Sequence, residues 1–310
     1  MSFASKKHFA GQHIALTVEA PGFTETAFIK VAEGGMIKAA TVEEPNAGYN
    51  LRERHTGVRE VEPLSLEFGM AGSKWALTLM EQIVDSQLHN KFSGQIIHAD
   101  TNFEGQYTYQ FLNALVTEFS LPKLDAKSKE YAFLKMKVQP EAIDFNIAKS
   151  PKLPPANSSR QKHWMSSAFR LTIGKEDVDA SSIEALSVKV GAKAYQTGGF
   201  MLPQYTPTGK LEMPKLSFTV PMGGCAALVR WFREAVCKEN TAEDAAGYEK
   251  DAMIEFLDST RSKVLYTVDL MRCGPETFSL IKGDDATTRA MKFDCYVTSM
   301  KLTPSGEGLI

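Results

Sequence analysis

The stretch PLSLEFGMAGSKWALTLM, residues 63–80, has a counterpart in KLSFTVPMGGCAALVRWF, residues 215–232. A constant shift of 152 positions places Gly224 on Gly72 and every other residue of the second stretch on one of the first. Each stretch alternates apolar and polar residues, as a half-buried strand does, then breaks at glycine and continues with apolar residues at helical spacing. The order of strand, break and helix therefore occurs twice in the chain.

The apolar faces of the two predicted helices match as well. The first follows the i, i+3, i+4, i+7, i+8 pattern of an amphipathic helix, and the same shift reproduces that pattern in the second. The matching positions are Ala76, Leu79, Met80, Ile83 and Val84 in the first helix and Leu228, Trp231, Phe232, Ala235 and Val236 in the second. We therefore predict equivalent helices over about residues 73–89 and 225–239.

The strands around these helices also follow one order. HIALTVEA and SAFRLTIG open the two copies. After each helix the sequence predicts a strand ending in aspartate, a strand carrying aromatic residues, a further strand, a turn with aspartate and a last strand. The corresponding residues are Asp100 and Asp258, Tyr107–Phe111 and Tyr266, Phe119 and Phe278, Asp125 and Asp284, and Tyr131–Val138 and Ala290–Val297.

A segment rich in proline, serine and basic residues separates the two copies at residues 149–167. Such a composition is typical of a partly extended linker. We therefore predict a first domain over residues 1–148, a linker over 149–167 and a second domain over 168–310. The fold class is mainly β with α (α+β), with one helix flanking the sheet of each domain. His163 and Trp164, inside the linker, are expected to dock on one domain.

The composition is that of an ordinary globular protein. The 310 residues are 43% hydrophobic and 23% charged, with a net charge of −2. This charge gives no reason to expect nucleic-acid or anionic-membrane binding. The first residues have no apolar core of a signal peptide, and no apolar run reaches the length of a membrane span. The sequence therefore favours folding in the cytoplasm and no membrane insertion.

No sequence motif of a nucleotide-binding loop, a serine hydrolase or a zinc protease is present. The most enzyme-like residue is Cys225, because a thiol at a helix N-terminus can have a lowered pKa and act as a nucleophile. Its partner would be a histidine, and no histidine follows His163. The first copy has Ser73 at this position, where serine is a good helix cap. A structural role for Cys225 is the favoured interpretation.

The four cysteines all lie in the second half, without the CxxC spacing of a zinc site, and are expected to be reduced core residues. They are Cys225, Cys237, Cys273 and Cys295.

His98 and Asp100 are two positions apart and face one side of a strand, as a metal-ligand pair would. The second copy has Glu255 and Asp258 there, which does not preserve the set, so a solvated strand end is favoured.

Tyr107 and Tyr109 could stack on nucleic-acid bases, but no basic patch accompanies them, which favours a sheet face. The sequence predicts no catalytic, cofactor-binding or metal-binding residues, no cofactor and no enzymatic activity.

The second copy reads FTVPMGGCAALVRWFREAV, DAMIEFLDSTRSKVLYTVDLMRC and ETFSLIKGDDATTRAMKFDCYV in order. The first copy contains LEFGMAGSKWALTLMEQIV and then QFLNALVTEFSLPKLDAKSKEYAFLKMKV. This succession resembles the tail tube proteins of contractile-tailed phages and phage-derived contractile injection systems, in a tandem two-domain version. The resemblance covers most of both halves.

The resemblance implies two β-sandwich or small-barrel domains that assemble into rings whose inner sheets line a channel. The rings would stack into a tube that delivers DNA or a toxin. It also implies sheath, baseplate or tail-completion proteins as partners. The location would be a virion tail or injection particle assembled in the bacterial cytoplasm.

Single-domain tube proteins of this family are implied to form six-fold rings. A chain with two domains supplies six positions from three chains, while six chains would place the domains in two layers. The unequal loops at residues 41–62 and 192–213 and the cysteines confined to the second half suggest two alternating interfaces, which favours the pseudo-six-fold trimer. Two other functions stay open at this point: a two-domain β-sandwich binding module of adhesin or carbohydrate type, and a cysteine hydrolase using Cys225.

Overall fold

The computed structural model describes residues 13–20, 23–45, 52–70, 74–85, 89–146, 152–153, 164–196, 202–237, 248–281 and 289–305, and the structural statements below concern these residues. Strands make up most of this part of the chain, and it contains two α-helices.

In the first half of the chain, strands come both before and after one helix in the sequence. In chain order the elements are β1 (His13–Ala20), β2 (Phe23–Ile29), β3 (Val31–Gly34), β4 (Ile37–Pro45), β5 (Arg52–Val61), β6 (Leu64–Gly69), α1 (Lys74–Asp85), β7 (Phe92–Ala99), β8 (Gly105–Ser120), β9 (Leu124–Asp125), β10 (Phe133–Gln139) and β11 (Ala142–Asn146). In β6 the apolar residues Leu64, Leu66 and Phe68 are buried and the residues between them are half-buried. The alternation seen in the sequence is therefore that of a strand with one face in the core.

The second half repeats this order. Its elements are β12 (Phe169–Ile173), β13 (Glu176–Val178), β14 (Ser182–Ile183), β15 (Ser187–Tyr195), β16 (Gln204–Glu212), β17 (Leu216–Pro221), α2 (Ala226–Cys237), β18 (Lys250–Leu257), β19 (Val264–Ile281) and β20 (Ala290–Pro304). A short 3₁₀ turn at Met222–Gly224 leads from β17 towards α2.

The two sheets have the same strand order. The first runs β2-β1-β7-β8-β10-β6-β3 and the second runs β13-β12-β18-β19-β20-β17-β14. Matching the elements in chain order before and after each helix turns one list into the other, with β8 matched to β19 and β10 to β20 and with β9 and β11 left without a counterpart. All the neighbouring pairs are antiparallel, and β6 and β17 pair with β10 and β20 at equivalent residues. The repeat in the sequence is therefore also a repeat in strand pairing.

Irregular backbone positions repeat too. Phe103 and Arg261 have φ values of 61° and 59°, and Asn113 and Arg272 have φ values of 50° and 53°. Such values are uncommon for residues other than glycine. The first two lie in the turns before β8 and β19, and the other two lie within these strands where the register with β7 and β18 shifts. The halves therefore share local backbone detail as well as strand order.

Strand pairing also connects the two halves. Strand β15 of the second half pairs with β8 of the first, and β9 of the first half pairs with β14 of the second. One buried apolar cluster contains residues from both sheets. Trp164 lies in it against Phe256 and Tyr266, so the expected docking of this residue is confirmed, whereas His163 lies outside the described residues.

Several sequence expectations need correction. The helices are described over Lys74–Asp85 and Ala226–Cys237, so His89 and Cys225 lie outside them. Residues 73, 86–88 and 238–239 of the predicted helices lie outside the described residues. The two strands expected around Tyr107–Phe111 and Phe119 are one strand, β8, which pairs with β7 before the irregularity at Asn113 and with β10 after it. Asp284 lies outside the described residues.

Residues 41–62 and 192–213 are wrongly interpreted as unequal loops. They belong to two hairpins, β4–β5 and β15–β16, and each hairpin has its register shift at an equivalent place, between Ala39 and Thr41 or between Val190 and Ala192. These strands are hard to predict because most of their side chains are exposed on both faces, which leaves no alternation of apolar and polar residues. Unequal loop length is therefore no argument for two kinds of interface.

Candidate assembly surface

Cys225 precedes α2 and is buried. Its thiol donates a hydrogen bond to the carbonyl of Met222 at 3.1 Å and lies 3.5 Å from the sulfur of Met291. These contacts are those of a packed core residue, and no histidine or carboxylate hydrogen-bonds to the thiol among the described residues. Burial raises the pKa of the Cys273 and Cys295 thiols, with that of Cys273 reaching about 12.

His98 and Asp100 do not point at a common ligand. The ring of His98 stacks on Tyr107 with centroids 4.3 Å apart, and burial lowers the pKa of His98. Asp100 follows β7, and its Oδ1 accepts hydrogen bonds from the backbone N–H groups of Asn102 and Glu104. Asp100 therefore holds the turn into β8.

The matching aspartate of the second half does the same. Oδ1 of Asp258 accepts hydrogen bonds from the N–H groups of Ser262 and Lys263, and the Thr260 hydroxyl donates to Oδ2. These bonds, the side-chain bond from Thr260 first, lower the pKa of Asp258. Within the described ranges, three or more His, Cys, Asp or Glu side chains are nowhere grouped as a metal site would need.

Tyr107 and Tyr109 lie on the face of the first sheet that also carries His98 and Phe145. Burial raises the pKa of Tyr107 and, more strongly, that of Tyr109. No helix in the described part of the chain is long and apolar enough to cross a membrane.

The contact between β15 and β8 joins the second half of the chain to the first sheet. Val188 lies opposite Phe119, and both side chains are fully buried. The hydroxyl oxygens of Ser120 and Ser187 are 2.6 Å apart, and the N–H of Leu121 donates to the carbonyl of Leu186 at 2.9 Å. The second half thus adds a strand to the edge of the first sheet.

A second strand contact lies beside the first. Asp125 of β9 pairs with Ser182 of β14, and the N–H of Ala126 donates to the carbonyl of Ser181 at 2.9 Å. Next to it, the Lys123 ammonium and the Glu184 carboxylate are 2.9 Å apart. Each half therefore lends one strand to the sheet of the other.

Glu141 fixes the β15–β16 hairpin to the first sheet. Its carboxylate accepts hydrogen bonds from Lys91 at 2.5 Å, from the side-chain amide of Asn113 at 3.0 Å and from the N–H of Tyr205 at 3.1 Å. Burial raises the pKa of Glu141, but the three hydrogen bonds and the charge of Lys91 outweigh it, so the net shift is downward.

Helix α1 contacts both sheets. Its own sheet supplies Phe68 and Phe92 around Trp75, and β20 of the second half lies against it from the other side. Its apolar residues are buried as a consequence, including Val84 at the helix end. Burial, followed by the nearby Asp85, raises the pKa of Glu81 on this helix.

The strands equivalent to β15 and β8, which are β4 and the last part of β19, have uncovered edges in the described residues. Strand β4 pairs only with β5, and the last part of β19 pairs only with β20. Large apolar side chains are exposed on both: Met36, Ile37 and Val42 at β4, and Phe278, Leu280 and Ile281 on β19. Exposed apolar edge strands of this kind are sites where another strand adds.

This surface was not predicted from the sequence. Part of its signal is present in the short apolar runs MIKAATV and FSLI, the second of which lies in the strand predicted around Phe278. Strand pairing between distant segments has no local periodicity, so the contact between β8 and β15 required the structure.

No family model and no curated protein matches the sequence. Among solved structures, a chain of the anti-feeding prophage baseplate is 14% identical, with a TM-score of 0.39 over 47% of this chain and 97% of its own. A chain of the PVC sheath-tube complex, from an extracellular contractile injection system, is 14% identical, with a TM-score of 0.37 over 44% and 88%. Hcp1 from Flavobacterium johnsoniae is 11% identical, with a TM-score of 0.29 over 44% and 96%.

The structural neighbours are contractile injection system components and Hcp proteins. Each match spans about half of this chain and most of the neighbour's own.

Proposed function

We propose that this protein is a structural component of a phage tail or contractile injection system. It forms a ring or inner tube, or the adaptor between tube and baseplate, and lines a channel through which DNA or an effector passes. It acts without catalysis or a cofactor, in a virion tail or injection particle assembled in the bacterial cytoplasm.

The observation that carries this proposal is the way the two halves meet. Two sheets of the same strand order contact each other edge to edge through β15 on β8 and β9 on β14. A contact between unlike surfaces, repeated from one copy to the next, builds a ring when the rotation closes and a helix when it does not. One step of such a repeat is present inside a single chain, which suits a ring-forming protein.

We further propose that the halves are tandem tube-type domains over residues 1–148 and 168–310, joined by a linker at 149–167. Because their sheets are neighbours through strand pairing, the chain supplies two adjacent positions of one ring. Three chains then give a ring with pseudo-six-fold symmetry, and this arrangement is favoured over six chains in two layers. Sheath, baseplate or tail-completion proteins are the expected partners.

A carbohydrate-binding role receives less support. A tryptophan on a sugar-binding surface would be exposed, and all three tryptophans of the chain are buried: Trp75, Trp164 and Trp231. Among them, Trp231 also uses its indole N–H in a 2.7 Å hydrogen bond to the carbonyl of Tyr248.

Electron microscopy of the purified full chain tests the proposal directly. We expect rings or stacked tubes with an open centre, and a mass near three chains for an isolated ring. A mass near six chains would overturn the trimer but keep the ring. A protein that stays monomeric at high concentration, with no rings on grids, would overturn the structural function itself.

A further inference from the structure

We propose that β4 of one chain adds to the free edge of β19 on a second copy of this chain, while α2 of that second copy packs against the first sheet of its neighbour. The biological role of this contact rests on the proposed ring-forming function. Its geometry rests only on the equivalence of the two halves.

The edge of β19 that accepts β4 is identified by the position of Phe278 in the second sheet. Phe119 lies opposite Met136, and Phe278 lies opposite Phe293. Met136 and Phe293 in turn face Leu66 and Phe218, which the 152-residue shift relates. Phe119 and Phe278 are therefore equivalent.

Their surroundings differ sharply. Phe119 is fully buried under β15, whereas Phe278 is 44% exposed. Two residues further on, Leu121 is 2% exposed and Leu280 is 63% exposed. The second half thus presents the same apolar edge as the first, without the strand that covers it.

The donating strand is identified in the same way. Ala32 pairs with Leu66, and Ile183 pairs with Phe218, so these two residues are equivalent. Five positions later in each half stand Ile37 and Val188. Val188 is fully buried against Phe119, whereas Ile37 is 44% exposed.

The observed pairing within the chain predicts the register between chains. Val188 opposite Phe119 becomes Ile37 opposite Phe278, and Ser187 opposite Ser120 becomes Met36 opposite Ser279. The Ile37–Phe278 pair brings two exposed apolar side chains together, which favours association by removing apolar surface from water. The edge of β3 beyond β6 is free among the described residues as well, at the position where β14 accepts β9.

The helices show the same asymmetry independently of the strands. The repeat shift places Val236 of α2 on Val84 of α1, and these residues are 58% and 8% exposed. Helix α1 owes its coverage to β20 of the other half, near the fully buried Tyr266. Among the described residues, α2 has its main strand contacts with β19 of its own half, and Ala227 is exposed where the equivalent Trp75 of α1 is buried.

A second copy is the occupant that the structure favours. One chain carries an uncovered acceptor edge, β19, in its second half and an uncovered donor strand, β4, in its first half. It also contains one completed contact of the equivalent kind, β15 on β8. Applying the same step again joins the second half of one chain to the first half of the next.

Cysteine cross-linking tests the predicted register. In a Met36→Cys/Ser279→Cys double variant of the full chain, mild oxidation should give disulfide-linked dimers and longer ladders on a non-reducing gel. The hydroxyls of Ser120 and Ser187 approach to 2.6 Å at the equivalent position, so cysteines there fit the short separation that a disulfide needs.

Two matched variants serve as controls. Ser120→Cys/Ser187→Cys should form the equivalent disulfide within one chain, without a ladder. Val58→Cys/Ser279→Cys uses an equally exposed residue of the same hairpin, on the outer strand β5, and should form no specific ladder. A Val58→Cys/Ser279→Cys ladder as strong as that of the test pair would overturn the register.

Charge substitution provides the second measurement. Leu280→Glu and Ile37→Glu place a charge on an edge that becomes buried only on assembly, so each should raise the concentration for half-assembly at least about tenfold. Val58→Glu should leave it unchanged. Circular dichroism of all three variants checks that the fold is intact.

The outcomes separate this inference from the ring function. Rings that form normally in Leu280→Glu, with no ladder from the Met36→Cys/Ser279→Cys pair, overturn the contact and leave the ring function standing. Ladders without closed rings support the contact and overturn the ring. Capture of a different protein by the edge, with no self-association, overturns the second copy as occupant.

Discussion

The two halves of this protein carry the same elements in the same order, yet one half is covered where the other is not. Strand β8 has β15 along its edge, and helix α1 has β20 along its outer side. Strand β19 and helix α2 occupy the equivalent positions without such neighbours in the described residues. Burial at these positions is therefore decided by the neighbouring half and not by the local sequence, because Phe119 and Phe278 are the same residue type.

Truncating Phe119 and Phe278 should give the largest difference in stability loss between equivalent positions of the two halves. Phe119→Ala removes a fully buried ring and should lower the free energy of unfolding by about 3–5 kcal/mol. Phe278→Ala, in dilute unassembled protein, should cost only about 1–2 kcal/mol because almost half of this side chain is already in water. Urea unfolding measures both. Equal losses would mean that β15 contributes nothing to the burial of Phe119, and Phe119→Leu provides a milder variant if the alanine variant does not fold.

A smaller difference in stability loss is expected between Val84 and Val236, which lie near the ends of α1 and α2. Val84→Ala should cost about 1–2 kcal/mol, since it removes two buried methyl groups between the sheets. Val236→Ala should stay within about 0.5 kcal/mol, because the side chain is exposed and alanine has the higher helix propensity. Thermal unfolding of the dilute chain compares them. A large loss for Val236→Ala alone would show that α2 is covered in the monomer.

The contact between the halves should also depend on pH. The pKa of Glu141 is lowered in the folded protein, so its stabilisation is present above the pKa of the unfolded chain and is lost as pH falls through the folded value. Wild type should therefore lose stability below about pH 4.5, and Glu141→Gln should lose less over that interval. The unfolding temperature measured across this range gives the answer. Glu44→Gln, on exposed β4, is the control, and identical pH profiles for wild type and Glu141→Gln would contradict the role of this carboxylate.

The smallest effect is expected at the ion pair between the halves. Lys123 and Glu184 are both about half exposed, so water and salt screen their attraction. Lys123→Ala should lower stability by at most about 0.5 kcal/mol, and the difference should shrink further in high salt. A loss above about 1 kcal/mol that persists in salt would show that this pair helps to hold β9 on β14.

The sequence predicted what depends on local periodicity. The strands β6 and β17, both helices and the aspartate turns at Asp100 and Asp258 appear near their expected positions. The hairpins β4–β5 and β15–β16 were missed because their side chains face water on both sides, which leaves no apolar alternation to detect. The candidate assembly surface was missed for a different reason: β8 and β15 are about 67 residues apart, and pairing across such a separation leaves no mark in either segment alone.

The contact of β15 with β8 has a consequence for the cost of association. Two separate proteins that dock lose translational and rotational freedom worth roughly 4–15 kcal/mol at the standard concentration. Both strands here belong to one polypeptide, so this contact forms at any dilution and at a high effective concentration set by the chain between the strands. In a ring where contacts within a chain alternate with contacts between chains, only the contacts between chains carry this entropic cost. Every second contact is free of it because its two strands belong to one polypeptide.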